Sequence, residues 1–176
     1  MRPLGRPTAV LLVPLGGVQP RLLQAMGEAL RETLIVAARP GPSLERPHYA
    51  FNKDRSQYHA TSILRRLSTL RAKDAPVVGI LDVDLFLPDA AYVIGDADRD
   101  AGAAVFSLAR LASGDPEIVR RRARIETVHA AGHLLGLSHC TDFRCAMFFS
   151  RDAADCDRKG AGLCAACRTA LGLPPP

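Results

Sequence analysis

The sequence predicts a mixed α/β fold of the α+β kind: a twisted, partly parallel sheet packed with helices, followed by a small cysteine-rich C-terminal subdomain. Three observations predict it. Unbroken apolar runs at 9–13 and 75–81 suit buried strands. Segments with apolar residues three and four apart alternate with them, and a strand–helix–strand order brings strands parallel. All five cysteines lie in the last quarter of the chain.

The chain has 176 residues, of which 48% are hydrophobic, enough for one domain with a core that needs no disulfides. Tryptophan is absent and aromatics are 5%, so that core is expected to be Leu, Val, Ile and Ala. The net charge of +5 is a mild basic excess without a basic-aromatic patch, which gives no argument for nucleic acid.

Ala9 to Val13 reads as the first strand. The start, MRPLGRPTAVLLVPLGG, has arginines before an apolar run, but it has no A-x-A-like cleavage site and prolines interrupt it. The longest apolar stretch, Ala9 to Leu15, contains Pro14 and is far short of the ~20 residues a bilayer needs. A chain without a membrane span, located in the cytoplasm, is expected. Gly16-Gly17 breaks the strand. Gln19 to Val36 is helical, with Leu22, Leu23, Met26, Leu30 and Leu34 on one side. Pro40 to Asp54 reads as a loop or short hairpin. Ser56 to Leu70 is a second helix, with Ile63, Leu64, Leu67 and Leu70 on one face. Ala75 to Leu81 is a second strand. Tyr92 to Ile94 and Ala103 to Leu108 are further strands, separated by a turn-rich segment, Gly95 to Gly102. Asp115-Pro116-Glu117 is a helix start: cap, proline at the first position, acid at the positive end. That helix runs to about Leu135 and stops at Gly136. Its Arg120 to Arg124 run is expected to be a solvated face. The chain then turns polar, and the LPPP tail is expected to fray.

Two constellations carry chemistry. His129, His133 and His139 fall within eleven residues. The first two, four apart on the helix, stack on one face. Gly136 lets the chain turn so that His139 can return as a third nitrogen donor. Three protein ligands and one open position make the catalytic kind of zinc site, which lowers the pKa of a bound water to about 7. Cys140, Cys145, Cys164 and Cys167 form C-x4-C and C-x2-C pairs. Paired turns of this kind hold a tetrahedral structural zinc, and in a reducing compartment thiolate pairs bind metal more often than they form disulfides. Cys156, between Asp155 and Asp157, is read as a bystander. Residues 1–136 and 137–176 are expected to form the α/β part, with its helix, and the zinc-stapled part.

The run V-H-A-A-G-H-L-L-G-L-S-H-C, followed by C-A-M-F-F-S and C-A-A-C, resembles the archaemetzincins, a branch of the metzincin zinc peptidases. Leu81 to Phe86, Arg55 to Tyr58 and the strand near Val105 are also similar to that family. The resemblance implies a zincin-like fold with an edge strand over a cleft and a structural zinc beside the catalytic one. It makes Met147 the Met-turn methionine beneath the catalytic zinc. It also implies a peptide substrate paired to an edge strand, for which Ala103 to Leu108 is the candidate. Oligomeric state is unread.

One position departs from H-E-x-x-H. The glutamate that serves as general base is Ala130 here. A methyl group accepts no proton, so hydrolysis is expected to fall by about 10²–10⁴-fold or more. Either the chain is a natural inactive relative or alanine has been put in place of glutamate. Glu126, one turn earlier, is expected to support the site or lie on the surface. Asp142 and Asp152, on nearby loops, stay open as substitutes. The alternative function is a non-catalytic, zinc-containing peptide-binding module.

Overall fold

The computed structural model describes residues 7–175. The arginine-bearing start at 1–6, together with Pro176, lies outside the described residues.

In chain order the elements are β1 (Ala9–Leu15), α1 (Pro20–Ala29), β2 (Ala37–Pro40), β3 (Phe51–Asn52), β4 (Gln57–His59), α2 (Ala60–Ser68), β5 (Val77–Leu81), β6 (Leu85–Leu87), β7 (Ala90–Val93), β8 (Gly95–Asp98), β9 (Ala103–Ser107), α3 (Pro116–Leu134), α4 (Ala153–Arg158) and α5 (Ala165–Ala170). The main sheet has the order β2-β1-β5-β9-β8. Its first four strands are parallel, and β8 pairs antiparallel to β9, with Gly95 opposite Phe106 and Asp98 opposite Ala103. A second sheet, β3-β4-β6-β7, was not foreseen; its strands have two to four residues, too short to show a period.

The continuous apolar runs have their reason in the layering. Every residue of β5 and β9 is buried, because both faces of the sheet are covered. One face carries α1 and α3: Val10, Leu12, Val78, Ile80 and Phe106 pack with Met26, Leu30, Val128 and Leu134. The other carries α2: Val13, Leu15, Val77, Leu81 and Val105 pack with Ile63, Leu64 and Leu67. Neighbouring strand residues thus alternate between two cores. Cys145, Ala146, Met147, Leu163 and Leu173 join the core on the α3 side, so the C-terminal segment is built onto the same cluster as the helix.

Several expectations are corrected. The interior position of β9, between β5 and β8, means that Ala103 to Leu108 is not the edge. The sheet edges are β2 and β8, and the one beside β9 is β8, inside the segment expected to be only a turn. Its GDAD sequence is polar and lacks an apolar run because one of its sides is unpaired. The second helix starts at Ala60; Gln57–His59 ahead of it is strand. The first helix does continue, through a π-type turn at Leu30–Leu34, and ends at Ile35 in the left-handed region. Arg120 to Arg124 is a solvated face only in part: Arg120 and Arg121 are exposed, the other two arginines are not. Arg122 is buried, forks onto Asp157 at 2.6 and 2.8 Å and donates to the Leu111 and Ala112 carbonyls, while Arg124 pairs with Glu32 at 2.6 Å. Leu173 of the tail is buried, its N–H donating to Arg168 O at 2.9 Å. Cys156 sits in a small core with Ile94, Leu111 and Ile125 rather than in a polar stretch.

The α3 boundaries follow their caps. Asp115 accepts the Glu117 N–H at 2.9 Å with Pro116 at the first position, and Gly136 turns the chain at φ +105°. Among the described residues no helix is long and apolar enough to cross a membrane.

Gly79 of β5 has no room for a side chain: an added Cβ would overlap Leu67 Cδ1 and stand 3.2 Å from Leu15 Cδ1. Gly79→Ala is expected to destabilise the protein by about 1–3 kcal/mol through overpacking, read as a lower urea midpoint at unchanged m value.

Candidate metal centre

His129 and His133 leave α3 on the same face, ring centroids 4.6 Å apart, and their Nε2 atoms are 3.1 Å from each other. His139 reaches them after the turn at Gly136, its ring 4.8 Å from His133 and 5.3 Å from His129. One nitrogen from each ring falls within 4.8 Å of the others. Two nitrogens at about 2.0–2.1 Å from a tetrahedral ion would be about 3.4 Å apart, so the observed spacing suits zinc.

The outer nitrogens orient the inner ones. Nδ1 of His129 donates to Ala146 O at 2.9 Å, and Nδ1 of His133 donates to Leu137 O at 2.9 Å. A carbonyl only accepts, so each Nδ1 carries the proton and each Nε2 keeps its lone pair facing the centre. Burial holds all three imidazoles below the ordinary histidine value, and repulsion from Lys159 adds to it. For His129 the result is about 4. At neutral pH the rings are uncharged donors.

Met147 is fully buried and packs against α3. A Cβ on Gly132, the residue before His133, would overlap Met147 Sδ and come within 3.0 Å of its Cε. Gly132 is therefore the gap in α3 that receives the methionine. Phe149 lies against His139 at 5.0 Å.

The four sulfurs of Cys140, Cys145, Cys164 and Cys167 also lie within 4.8 Å of one another. Cys140 Sγ and Cys164 Sγ are 3.7 Å apart, against about 3.8 Å for two thiolates at about 2.3 Å from a tetrahedral zinc. Backbone N–H groups of Asp142 and Cys164 point at Cys140 Sγ and Cys145 Sγ at 3.4 Å. The Cys167 backbone amide and neighbouring sulfurs lower the Cys164 thiol, whereas burial raises Cys145 and Cys167. Thiols packed this closely suit deprotonation onto a cation. Cys156 is outside the group, its thiol raised by burial.

The histidine set looks onto a cleft of 750 Å³ whose wall includes Gly95, Asp96, Glu126, Ala130 and the three histidines. Asp142 and Asp152 are not part of that wall: Asp142 accepts the Arg144 N–H at 3.0 Å, and Asp152 caps α4 through the Asp155 N–H at 2.9 Å. Glu126 is buried rather than on the surface. Burial alone would raise its carboxyl, but the Lys159 ammonium, the His129 ring and the hydrogen bonds from Lys159 and Ser150, each 3.0 Å long, hold it below the usual range. It is an ionised carboxylate whose Oε1 is occupied by these two donors. Asp96 of β8 faces the same space, and burial raises its carboxyl. Lys159 and Asp96 are the residues that sequence reasoning missed. Nothing in D-C-D-R-K-G marks a buried lysine, and Asp96 sits in a segment that reads as turn.

Gly132→Ala is expected to displace Met147 and weaken zinc at the histidines about tenfold, measured by chelator competition. In protein without metal at the histidines, acid should destabilise the fold. His129 titrates near 4 when folded and at its ordinary 6.5 when unfolded, so the unfolded chain takes the proton first. That share of stability is complete above 6.5 and is lost as pH falls toward 4, seen as a falling thermal midpoint.

Comparison with known proteins agrees with this geometry. Residues 39–172 match peptidase family M54. An archaemetzincin from Methanopyrus kandleri is 37% identical over 125 residues, covering 71% of each chain. The crystal structure of archaemetzincin from that organism superposes with a TM-score of 0.84 at 31% identity, covering 98% of this chain and 97% of the other. That of Archaeoglobus fulgidus, complexed with malonate, gives 0.81 at 30% identity, over 92% and 98%. A family match across most of the chain, two relatives of nearly equal length in the same fold, and donor sets for one three-histidine and one four-cysteine zinc lead to one conclusion: this chain belongs to peptidase family M54, the zinc metallopeptidases that include the archaemetzincins.

Proposed function

We propose that the cleft binds peptides and that His129, His133 and His139 hold a catalytic zinc there, while Cys140, Cys145, Cys164 and Cys167 hold a structural one. The observation that carries this reading is the orientation of the histidine lone pairs: two Nδ1–H groups anchored on carbonyls leave the inner nitrogens converging. Zinc held there supplies Lewis acidity toward a carbonyl and activates water. The chain's own residues do the rest. Met147 supports the rings from below, in the manner of a Met-turn. The unpaired side of β8 offers backbone groups to an extended peptide. Five free thiols suit a reducing compartment, which supports a cytoplasmic location.

The proton-transfer function is missing. Ala130 presents a methyl group in the cleft wall, and the nearest carboxylate on the helix, Glu126, is spent on Lys159 and Ser150. We therefore place hydrolysis by this chain at about 10²–10⁴-fold or more below that of the same scaffold with glutamate at 130. The same observation favours a second reading, a peptide-binding relative that retains peptides without cutting them.

Protein purified without added metal should contain two zinc ions per chain. Ala130→Glu should gain chelator-sensitive peptidase activity against a diverse peptide library. Peptide affinity without any gain from glutamate would select the binding module; one zinc per chain would empty the proposed catalytic centre.

A further inference from the structure

The side chain of Lys159 has no exposed surface, and its ion-pair partner Glu126 has 5%. Among the described residues it is the one ion pair with both ends buried; elsewhere at least one partner reaches solvent, as in Arg122 with Asp157 or Arg151 with Asp155. Taking both charges out of water costs several kcal/mol per ion, and an apolar pair of like volume would often serve stability as well. Its location matters more than its contribution to stability. Lys159 Nζ is 3.0 Å from Glu126 Oε1, 3.0 Å from Ser150 Oγ and 3.4 Å from His129 Nδ1, and Ser150 Oγ donates to Glu126 at 3.0 Å. Lys159, Glu126 Oε1 and Ser150 Oγ thus close a three-membered network, and the ammonium stands beside the protonated Nδ1 of His129 without a hydrogen bond to it.

The three side chains come from three places: Glu126 from α3 one turn before Ala130, Ser150 from the segment just after Met147, and Lys159 from the end of α4. The backbone continues the linkage. Gly160 N–H donates to Arg144 O at 2.7 Å, and Ala146 N–H donates to Gly162 O at 2.9 Å. Ala146 O is the acceptor that orients His129. Segment 159–164 therefore lies along 144–146, with cysteine donors Cys145 and Cys164 within the two segments.

We propose that Lys159 is a positioning residue for the three-histidine metal centre: its ammonium ties α3 to the Met147 segment at the outer edge of His129 and carries the placement of the four-cysteine end onto that ring. The proposal rests on the reading that the histidines hold zinc. Partners that orient a ligating histidine typically change metal affinity by about 10–100-fold.

The test compares three full-length proteins: the parent, Lys159→Met, and Lys159→Met with Glu126→Gln, which leaves no unpaired buried charge. Zinc affinity at each site is measured by competition with chromophoric chelators. Cobalt replaces zinc for spectroscopy, since thiolate–cobalt charge transfer reports the cysteine site and the weak visible bands report the histidines. Both variants should show about 10–100-fold weaker metal at the histidines and shifted visible bands, with thiolate bands and cysteine-site affinity unchanged. Parent-like histidine affinity in both variants would overturn the proposal. Recovery in the double variant alone would also overturn it, because Lys159 would then be only a counter-ion. So would loss of the thiolate bands in both variants, which would make the pair a general folding element. A parent with no metal at the histidines would instead remove the reading on which the proposal rests.

Discussion

Two imidazoles one turn apart on a helix define one edge of a tetrahedron, and a third corner must come from elsewhere in the chain. Here it comes from a segment that leaves α3 at Gly136 and folds back beneath the helix. Nearly every feature of the centre depends on that return. The Leu137 carbonyl orients His133, the Ala146 carbonyl orients His129, Met147 fills the gap over Gly132, and His139 completes the set. Cys140 and Cys145 lie on the same returning segment, and Cys164 and Cys167 join them from the start of α5. In a stretch with little apolar sequence of its own, metal–thiolate bonds can stand in for a larger core.

Charge is arranged along the same seam. Arg122 forks onto Asp157, Arg121 donates to the Asp157 and Lys159 carbonyls, and Arg151 and Arg158 both grip Asp155. The Arg121 and Arg122 contacts dock the end of α4 against α3, where Lys159 enters the interior, while the Asp155 pairs brace α4 itself. Of the arginine run, Arg122 and Arg124 turn inward to Asp157 and Glu32, while Arg120 and Arg121 stay exposed.

Ala130 separates two requirements that a zinc peptidase usually meets together. Holding a metal needs three lone pairs at tetrahedral spacing, and those are present. Moving a proton needs a carboxylate within hydrogen-bond reach of the reacting water. Glu126 is close along the helix, yet it is buried and its Oε1 already accepts from an ammonium and a hydroxyl. A second turn of the helix does not replace the first, because the two residues meet different neighbours.

The sequence by itself determined the elements whose signal is local. The β1, β5 and β9 strands appear as apolar runs because both their faces are covered, and α3 is bounded by Asp115 and Gly136 because caps act within one turn. The two donor sets were legible from spacing alone, since i,i+4 on a helix and short cysteine pairs are geometric statements. Tertiary structure decided what depends on distant partners. That β8, not β9, is the sheet edge follows from pairing order, which no single strand encodes. The burial of Lys159, Glu126 and Arg122 was invisible because a charged side chain reads as exposed until its counter-charge, about thirty residues away in sequence, is seen to arrive. A lone charge is costly to bury and a matched one is tolerated, and only the folded chain shows which charges are matched.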